Sequence, residues 1–238
     1  MSGEEIAKLY YYPATGRAHQ IRLALAASGI VWDDVFGSFP PNQEQKEEWR
    51  SIGGNTTTNV PMLVMPNGKV YTQSHAVLKA VGRMGKLMPS GDDDLYLVDK
   101  LLADAEDIRT AAYKTFVIWG APQSDVDAFL SPKGLELHLG NLERQLVSKY
   151  FIGDNLTIAD ISVYDAVTSF GLNRLTTAKR EELLGKFPKL AAWIPLVESD
   201  NPKIASYLSS DDYEMEIMKF GPETLGFEEE ETLGLEEE

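Results

Sequence analysis

The sequence predicts two domains, an α/β unit over residues 1–88 and an all-α unit over residues 96–208. Up to Met88, short apolar or aromatic segments alternate with helical patterns, whereas every periodic segment beyond residues 89–95 is helical. The chain has 238 residues, of which 43% are hydrophobic and 25% charged, so it can bury a sizeable core. Residues 89–95 (PSGDDDL) contain Pro and Gly, and we expect them to link the two domains.

The opening of the chain predicts a strand, a helix and a second strand. Residues 6–12 (IAKLYYY) are rich in aromatic residues and precede Pro13, which is typical of a strand that ends in a turn. Apolar spacing over residues 18–28 predicts a helix, and Gly29 lies where a helix C-terminus favours glycine. Residues 30–35 (IVWDDV) predict the second strand.

A long polar excursion and a hairpin follow. Residues 37–59 are rich in turn-forming residues, with one helical turn predicted over residues 43–50. Residues 60–65 and 69–72 predict the two arms of a hairpin. Asn67-Gly68 lies between them and tolerates positive φ, as a tight turn requires.

The remaining patterns are helical. Residues 74–84 predict a helix that closes the first unit, with the Ser74 hydroxyl at its N-cap. In the second unit, Thr157 and Asp160 have the spacing of a capping box, which is a folding device and not a catalytic one. The other predicted helices cover residues 96–116, 126–147, 158–170, 179–184, 188–198 and 201–208.

The composition excludes several kinds of chemistry. The chain has no cysteine, which removes disulfides, thiolate nucleophiles and Cys-based metal sites. His19, His75 and His138 are far apart, and none forms the spaced pair that a zinc site uses. We therefore expect no metal, and we expect any thiol chemistry to use a sulfur atom of the substrate.

The charge is concentrated at the C-terminus. Residues 209–238 hold 12 of the 37 acidic residues but only one of the 22 basic residues, so this acidic tail carries −11 of the formal charge of −15. Neither part has the basic stripe that phosphate contacts need, so nucleic acid is not an expected partner. The chain has no run of 18 apolar residues and no signal-like N-terminus, which predicts a cytoplasmic protein without membrane contact.

The acidic tail ends in a tandem octapeptide, ETLGFEEE followed by ETLGLEEE over residues 223–238. Two copies of eight residues are too few to build a solenoid. Clustered glutamates repel one another, which predicts a solvated tail. The alternative is an acidic docking segment in which Leu225, Phe227, Leu233 and Leu235 are the apolar anchors.

Four stretches together resemble the cytosolic glutathione transferase family, over about residues 6–208. KLYYYPATGRAHQIRLALAASGI (8–30) resembles the first strand and helix of the tyrosine-type classes, whose pattern is K-L-x-Y-F followed by G-R-A. NVPML (59–63) is similar to the family's cis-proline segment, and TQSHAVLKAVGR (72–83) to its Q-S helix start. LTIADISVYDAV (156–167) resembles the capping-box helix of its second domain. The resemblance implies a thioredoxin-like N-terminal domain and an all-α C-terminal domain, most like those of the sigma class.

The resemblance places the catalytic phenol at Tyr11. Strand periodicity puts Leu9 and Tyr11 on one face and Tyr10 and Tyr12 on the other, where we expect them to pack in the core. In the family, such a phenol donates a hydrogen bond to the glutathione thiolate, and an arginine matching Arg17 adds positive charge near the sulfur. Thr15 remains open as a competing hydroxyl donor, because serine-type classes use a hydroxyl in this turn.

The resemblance also implies a glutathione site. Val60 would offer its backbone beside a cis Pro61, and the start of the helix at Ser74 would hold the γ-glutamyl carboxylate. The lysine that the family places a few residues after its excursion tryptophan is missing here, so Lys46 or Arg50 is the candidate for the glycyl carboxylate. The full implied set is Trp49, Asn59, Val60, Pro61, Gln73, Ser74 and Asp107, the last reaching across from a second subunit.

The expected function is transfer of glutathione to a hydrophobic electrophile by a homodimer, with glutathione as co-substrate and no other cofactor. The alternatives are a sigma-like glutathione-dependent isomerase and a scaffold or interaction protein that has this fold. The electrophile pocket is expected between the domains, near Tyr113, Phe116, Trp119, Tyr207 and Tyr213.

Overall fold

The computed structural model describes residues 6–38, 41–57, 59–117 and 122–210. These residues form an α/β unit followed by a helical unit, as the sequence predicts. The strands of the first unit are β1 (Ala7–Tyr11), β2 (Trp32–Phe36), β3 (Met62–Val64) and β4 (Val70–Thr72). Its helices are α1 (His19–Ser28), α2 (Gln43–Ser51) and α3 (Ser74–Met84).

The strands of the described residues form one mixed sheet in the order β2-β1-β3-β4. β1 runs parallel to β2 and antiparallel to β3, and β3 runs antiparallel to β4. Leu9 is fully buried in a core that includes residues of α1 and α3, whereas its neighbour Lys8 is exposed. The sheet, strand order and helices are those of a thioredoxin-like domain.

Three predictions for the first unit need correction. β2 covers residues 32–36, where the sequence pattern predicted 30–35. The polar excursion contains a nine-residue helix, α2, because the Asn42 side chain accepts a hydrogen bond from the Gln45 N–H at 2.8 Å and caps it. The prediction that Ser74 caps α3 is wrong. Gln73 holds the N-cap position, at a φ of 70°, and Ser74 is the first helical residue.

In the described part of the second unit, the regular elements are helices, apart from one isolated β-bridge between Tyr150 and Gly153. Tyr113–Val117 and Ala166–Gly171 extend two of its helices as π-helical segments. The predicted helix over residues 126–147 is instead two helices, because Pro132 lies within it and cannot donate a backbone hydrogen bond. The helices are α4 (Asp92–Ala112), α5 (Gln123–Leu130), α6 (Leu135–Gln145), α7 (Ile158–Asp165), α8 (Thr177–Leu184), α9 (Pro188–Asp200) and α10 (Pro202–Leu208).

The capping box at the start of α7 is confirmed. The Asp160 carboxylate accepts hydrogen bonds from the Thr157 N–H and from the Phe151 N–H, both at 2.9 Å. Asp160 is fully buried, so these bonds replace the water that its carboxylate loses on folding. Its role is structural, as the sequence predicts.

A buried polar network joins the two units. In α4, Arg109 donates to the Asp165 carboxylate of α7 at 2.7 Å, and His19 of α1 lies 2.9 Å from the same carboxyl group. Ser162 of α7 donates to the Gln20 side chain of α1 at 2.9 Å. Since buried polar groups are costly without partners, this network fixes α1 of the first unit against α4 and α7 of the second.

Some predictions lie outside the described residues. These are the octapeptide repeat at residues 223–238, and Trp119 and Tyr213 of the predicted electrophile pocket. Within the described ranges, no helix has both the length and the apolar character needed to cross a membrane. The same ranges contain no group of three or more His, Asp or Glu side chains arranged to hold a metal ion.

Candidate active site

The register of the sheet brings several predicted site residues to one end of it. Tyr10 pairs with Met62, and Met62 pairs with Thr72. The ladders end at these pairs, and the next residues in the same direction are Tyr11 at the end of β1, Pro61 before β3 and Gln73 after β4. The Val60–Pro61 peptide bond is cis, as the resemblance predicts. The end of β1, the proline segment and the start of α3 therefore surround one place at the edge of the sheet.

Tyr11 is the most deeply placed of the three consecutive tyrosines. It is 9% exposed, on the core-facing side of β1, and its Oη accepts a hydrogen bond from the Arg17 N–H at 3.0 Å. Gly16 allows this contact, because a Cβ at that position would collide with the Tyr11 hydroxyl and its φ is +39°. The tight turn over Gly16 thus fixes the direction of the phenol.

The Tyr11 phenol is held in its neutral form. Burial raises the pKa of Tyr11, because a phenolate would lose its water. The Arg17 N–H and the charges of Arg22 and Arg17 act in the opposite direction but do not reverse the rise. Tyr11 therefore carries its proton throughout the physiological pH range and can donate a hydrogen bond.

Arg22 lies beneath Tyr11. Its guanidinium carbon is 5.9 Å from the centre of the Tyr11 ring, and the side chain is fully buried. Arg22 Nε donates to Asp34 at 2.9 Å, and Arg22 Nη1 donates to the Ala14 carbonyl oxygen at 2.9 Å. These bonds hold a positive charge against the ring and support the turn that follows β1.

Arg17 is paired with Glu106 of α4. Two guanidinium nitrogens of Arg17 lie 2.8 and 2.6 Å from the two carboxylate oxygens of Glu106, which is a bidentate pair. Burial would lower the pKa of Arg17, but the hydrogen bond and the charge of Glu106 raise it overall. Burial would raise the pKa of Glu106, yet Arg17 keeps it lower than usual. Both groups are therefore charged, and the helical unit positions Arg17.

Asp107 lies beside this pair and faces solvent. It lines a cavity of about 370 Å³ between α3 and α4, together with His75 and Glu106. His75 Nε2 is 3.5 Å from the Glu106 carboxylate, and burial lowers the pKa of this imidazole. The start of α3 and the middle of α4 thus meet near Arg17.

The other residues implied for glutathione binding lie on α2 and in the loop before β3. Trp49 of α2 is 2% exposed, and its ring centre is 6.1 Å from that of Tyr12. Asn59 is exposed and Val60 is half-buried, both immediately before β3. On α2, Arg50 is exposed and Lys46 is half-buried. No ion pair of either cation is found within the described residues, and the assignment of the glycyl carboxylate to one of them stays a prediction.

The neighbouring hydroxyl residues differ from expectation. Tyr10 and Tyr12 were expected in the core, but both are half-buried, because the face of the sheet that packs on α1 and α3 is that of Leu9 and Tyr11. Thr15 is 6% exposed and precedes the turn that positions Tyr11. Of these hydroxyls, Tyr11 combines burial, a fixed direction and a nearby pair of arginines.

Two described side chains of the expected electrophile pocket lie in different surroundings. Tyr113, just after α4, is 45% exposed. Tyr207 of α10 has its ring centre 5.8 Å from that of Trp32 and lines a groove beside β2.

Sequence reasoning missed Glu106, Arg22 and His75. The motif that singles out Arg17 says nothing about its partner, which lies 89 residues away. Arg22 stands in an otherwise apolar helix pattern, and a cation there is a signal of a buried carboxylate partner.

Family models and curated relatives agree with this geometry. A glutathione S-transferase N-terminal domain model matches residues 7–82, and a glutathione S-transferase C-terminal domain model matches residues 107–211. The two models describe the same family and together span most of the chain, so the chain belongs to the glutathione S-transferase family.

Three relatives show how similar the chain is to named members. The chain is 24% identical to the class-mu 28 kDa isozyme of Schistosoma japonicum over 212 residues, which cover 85% of this chain and 96% of the relative. It is 27% identical to the Schistosoma mansoni isozyme of that name over 229 residues, covering 88% and 97%. It is 26% identical to glutathione S-transferase P 2 of Bufo bufo over 212 residues, covering 85% and 92%.

Proposed function

We propose that this chain is a tyrosine-type glutathione transferase in which Tyr11 stabilises the thiolate of bound glutathione. The observation that carries the proposal is the state of Tyr11, a buried, neutral phenol directed by the Arg17 N–H at the end of the sheet that bears cis Pro61. The relatives bear names of different classes, so the proposal rests on this chain's own residues for the tyrosine type.

The proposed chemistry is selective stabilisation of an anion. A free thiol with a pKa of about 8.5 is only about 3% ionised at pH 7. A phenolic O–H directed at sulfur stabilises the thiolate more than the thiol, and lowering the thiol pKa by about two units corresponds to about 2.7 kcal/mol. Since the Tyr11 oxygen already accepts a hydrogen bond, its O–H is polarised and is a stronger donor.

Arg17 is proposed to add positive charge near the sulfur. Its guanidinium is half-buried and is fixed by two contacts to Glu106, so it does not have to be ordered when glutathione binds. Glu106 partly neutralises the charge of Arg17, so Glu106 does not add to the positive field. We propose that Glu106 instead holds Arg17 in position.

The remaining contacts with glutathione follow from the backbone at this end of the sheet. Val60, before the cis bond, can pair with an extended peptide through its N–H and C=O. The first N–H groups of α3 suit the γ-glutamyl carboxylate, with Gln73 and Ser74 at the helix start. Trp49 and Asn59 are proposed near the glycyl end.

The active unit is proposed to be a homodimer. Asp107 is exposed beside the cavity between α3 and α4, where its carboxylate can reach a ligand held by a second subunit. In this arrangement it would bind the glutathione amino group of the partner, and each site would need both chains.

The test compares hydroxyl variants in a conjugation assay with an aryl halide. Tyr11→Phe should lower turnover by about 10²-fold, the usual loss for one oriented donor, with little change in glutathione affinity. Tyr10→Phe is the matched control, because it removes a phenol from the opposite face of the same strand, and it should keep wild-type turnover. If Thr15→Ala abolishes turnover while Tyr11→Phe does not, the assignment of Tyr11 is wrong.

The same assay separates the two alternatives. A scaffold would not bind immobilised glutathione and would not react with aryl halides, enals or hydroperoxides. A glutathione-dependent isomerase would bind glutathione and convert a prostaglandin endoperoxide faster than it conjugates any of these electrophiles.

A further inference from the structure

The outer edge of β2 is an open sheet edge. β2 stands at the end of the strand order and pairs on one side with β1. The Gly37 N–H donates to the Tyr11 carbonyl oxygen and the Val31 carbonyl oxygen accepts from the Ala7 N–H, so odd-numbered residues here turn their backbone groups towards β1. Backbone groups alternate along a strand, so Trp32, Asp34 and Phe36 turn their N–H and C=O groups outwards. Within the described ranges, none of these three N–H groups has a recorded hydrogen bond outside the ladders.

A groove of about 1040 Å³ runs along this edge. It is lined by β2, by the residues that lead into it and by α10. Val31 in this lining is 67% exposed, which is unusual for a large aliphatic side chain. The groove thus combines unpaired strand backbone with apolar surface, the two features that an added strand uses.

The described part of the chain ends at this groove. Ser210, at the end of the described residues, is part of the lining. Residues 213–217 (YEMEI) follow after two aspartates and alternate apolar and acidic side chains, which is the pattern of a half-buried strand. Residue 213 is three residues from Ser210, and three residues of extended chain span at most roughly 10 Å, so residue 213 can reach the groove. Docking of this segment would have a small loop-closure cost.

The two faces of such a strand match the two sides of the sheet. Lys8 and Asp33 share one face, and Trp32, which contacts Tyr207 of α10, lies on the other. A strand whose apolar residues cover Trp32 would place Glu214 and Glu216 on the face of Lys8.

The charges in the lining are balanced, so the backbone groups and the apolar contacts carry this arrangement. Lys8 and Lys203 line the groove and have no recorded ion pair in the part of the chain that the structure describes. Asp34, also in the lining, is already bonded to Arg22. On the face that Glu214 and Glu216 would share, the positive charge of Lys8 is therefore offset by the negative charge of Asp33 on the adjacent strand.

We propose that residues 213–217 bind in the groove along β2 and extend the sheet of their own chain by a further strand. The octapeptide repeat at residues 223–238 takes no part in this contact.

Residue-resolved hydrogen exchange on the full chain tests the proposal. The amides of Trp32, Asp34 and Phe36 should be protected in the full chain and should exchange at least about tenfold faster once residues 211–238 are removed. The amides of Asp33 and Val35 are the internal control, since they bond to β1 and should not change. A matched truncation that removes only residues 221–238 should keep the full-chain pattern.

A point variant and a concentration series complete the test. Met215→Pro, which cannot complete a strand ladder, should reproduce the loss of protection, while Glu229→Pro in the repeat should not. The protection should be the same at two protein concentrations that differ tenfold. The proposal is overturned if the three outer amides exchange equally fast with and without residues 211–238, or if their protection rises with concentration, which would indicate pairing between copies.

Discussion

Gly16 is the residue on which the direction of the Tyr11 hydroxyl most directly depends. Any side chain at position 16 meets the Tyr11 ring and its hydroxyl, and the positive φ of this residue adds strain for any L-residue other than glycine. The sequence marks this glycine only as part of a turn. Its second property, that it leaves room for a phenol, requires the folded structure.

Gly16→Ala should therefore act as an indirect Tyr11 variant. We expect turnover to fall by about tenfold or more, because the methyl group displaces the phenol from its bond with the Arg17 N–H. The control is Gly53→Ala, since a Cβ at Gly53 meets no atom within 4 Å, and it should stay near wild type. Steady-state kinetics compares the turnover of the two variants, and circular dichroism verifies that both are folded. Wild-type turnover in Gly16→Ala would contradict the proposed geometry.

The raised pKa of Tyr11 gives a pH prediction. Because burial raises this pKa above the usual value of about 10, the unfolded chain ionises its tyrosine first. This contribution to folded-state stability is complete below pH 10 and is lost as the pH rises through the folded pKa. Ultraviolet difference titration of wild type against Tyr11→Phe should show the missing ionisation above pH 10. A step at neutral pH would mean that Tyr11 acts as a phenolate.

At the scale of elements, the buried network between α1, α4 and α7 decides how the two units meet. Arg109 and Asp165 are almost completely inaccessible to solvent. Two guanidinium nitrogens of Arg109 donate to the same carboxylate oxygen of Asp165. Burial would raise the pKa of Asp165, but the Arg109 charge and the His19 hydrogen bond lower it overall. The orientation of α4 matters for the site, because α4 also carries Glu106, which holds Arg17.

Asp165→Asn should lower the free energy of unfolding by about 3–5 kcal/mol, since it leaves the Arg109 charge buried without a counter-charge. Glu136→Gln is the control, because it removes the carboxylate of an exposed pair with Lys186 and should cost at most about 1 kcal/mol. Urea denaturation measures both.

The same pair predicts an acid dependence. A carboxyl group whose folded pKa is lowered contributes stability that is complete above its usual value of about 3.9 and is lost as the pH falls through the folded pKa. The stability difference between wild type and Asp165→Asn should therefore shrink below about pH 4. An equal difference at pH 3 and pH 7 would argue against an ionised Asp165.

At the scale of the whole molecule, the two units share one core. Buried residues of β1, α1 and α3 belong to the same apolar cluster as those of α4, α6 and α7. The α3–α4 surface beside this core carries the exposed Asp107, and the proposed dimer brings that surface to a second active site.

The dimer proposal predicts linked losses. Asp107→Ala should weaken glutathione binding by about 1–3 kcal/mol, the usual loss for a charge-assisted hydrogen bond. It should not slow the chemical step in which the bound thiol attacks the electrophile. Asp94→Ala, in the first turn of the same helix, is the control and should bind glutathione normally. Activity on dilution should fall together with the dimer fraction measured by light scattering, and a fully active monomer would refute the role of Asp107 across subunits.

The sequence by itself determined those features of the fold that depend on residues close together along the chain. The period of two in β1 places Tyr11 on the buried face, and the spacing of Thr157 and Asp160 sets the start of α7. The cis bond before Pro61 follows from the resemblance and is present. Two predictions of helix boundaries from the sequence were wrong. Pro132 divides the helix predicted over residues 126–147, and Ser74 is not the N-cap of α3.

Only the tertiary structure decided which distant side chains meet at the site. Glu106 reaches Arg17 across 89 residues, and Arg22 lies under Tyr11 because α1 packs against the face of β1 that bears this ring. The physical reason is that a buried charge is stable only with a partner, and the partner is supplied by whichever element the fold packs against it. The resemblance in β1 therefore proposes Tyr11 as the reactive phenol, while the groups that contact it come from the packing of the two units.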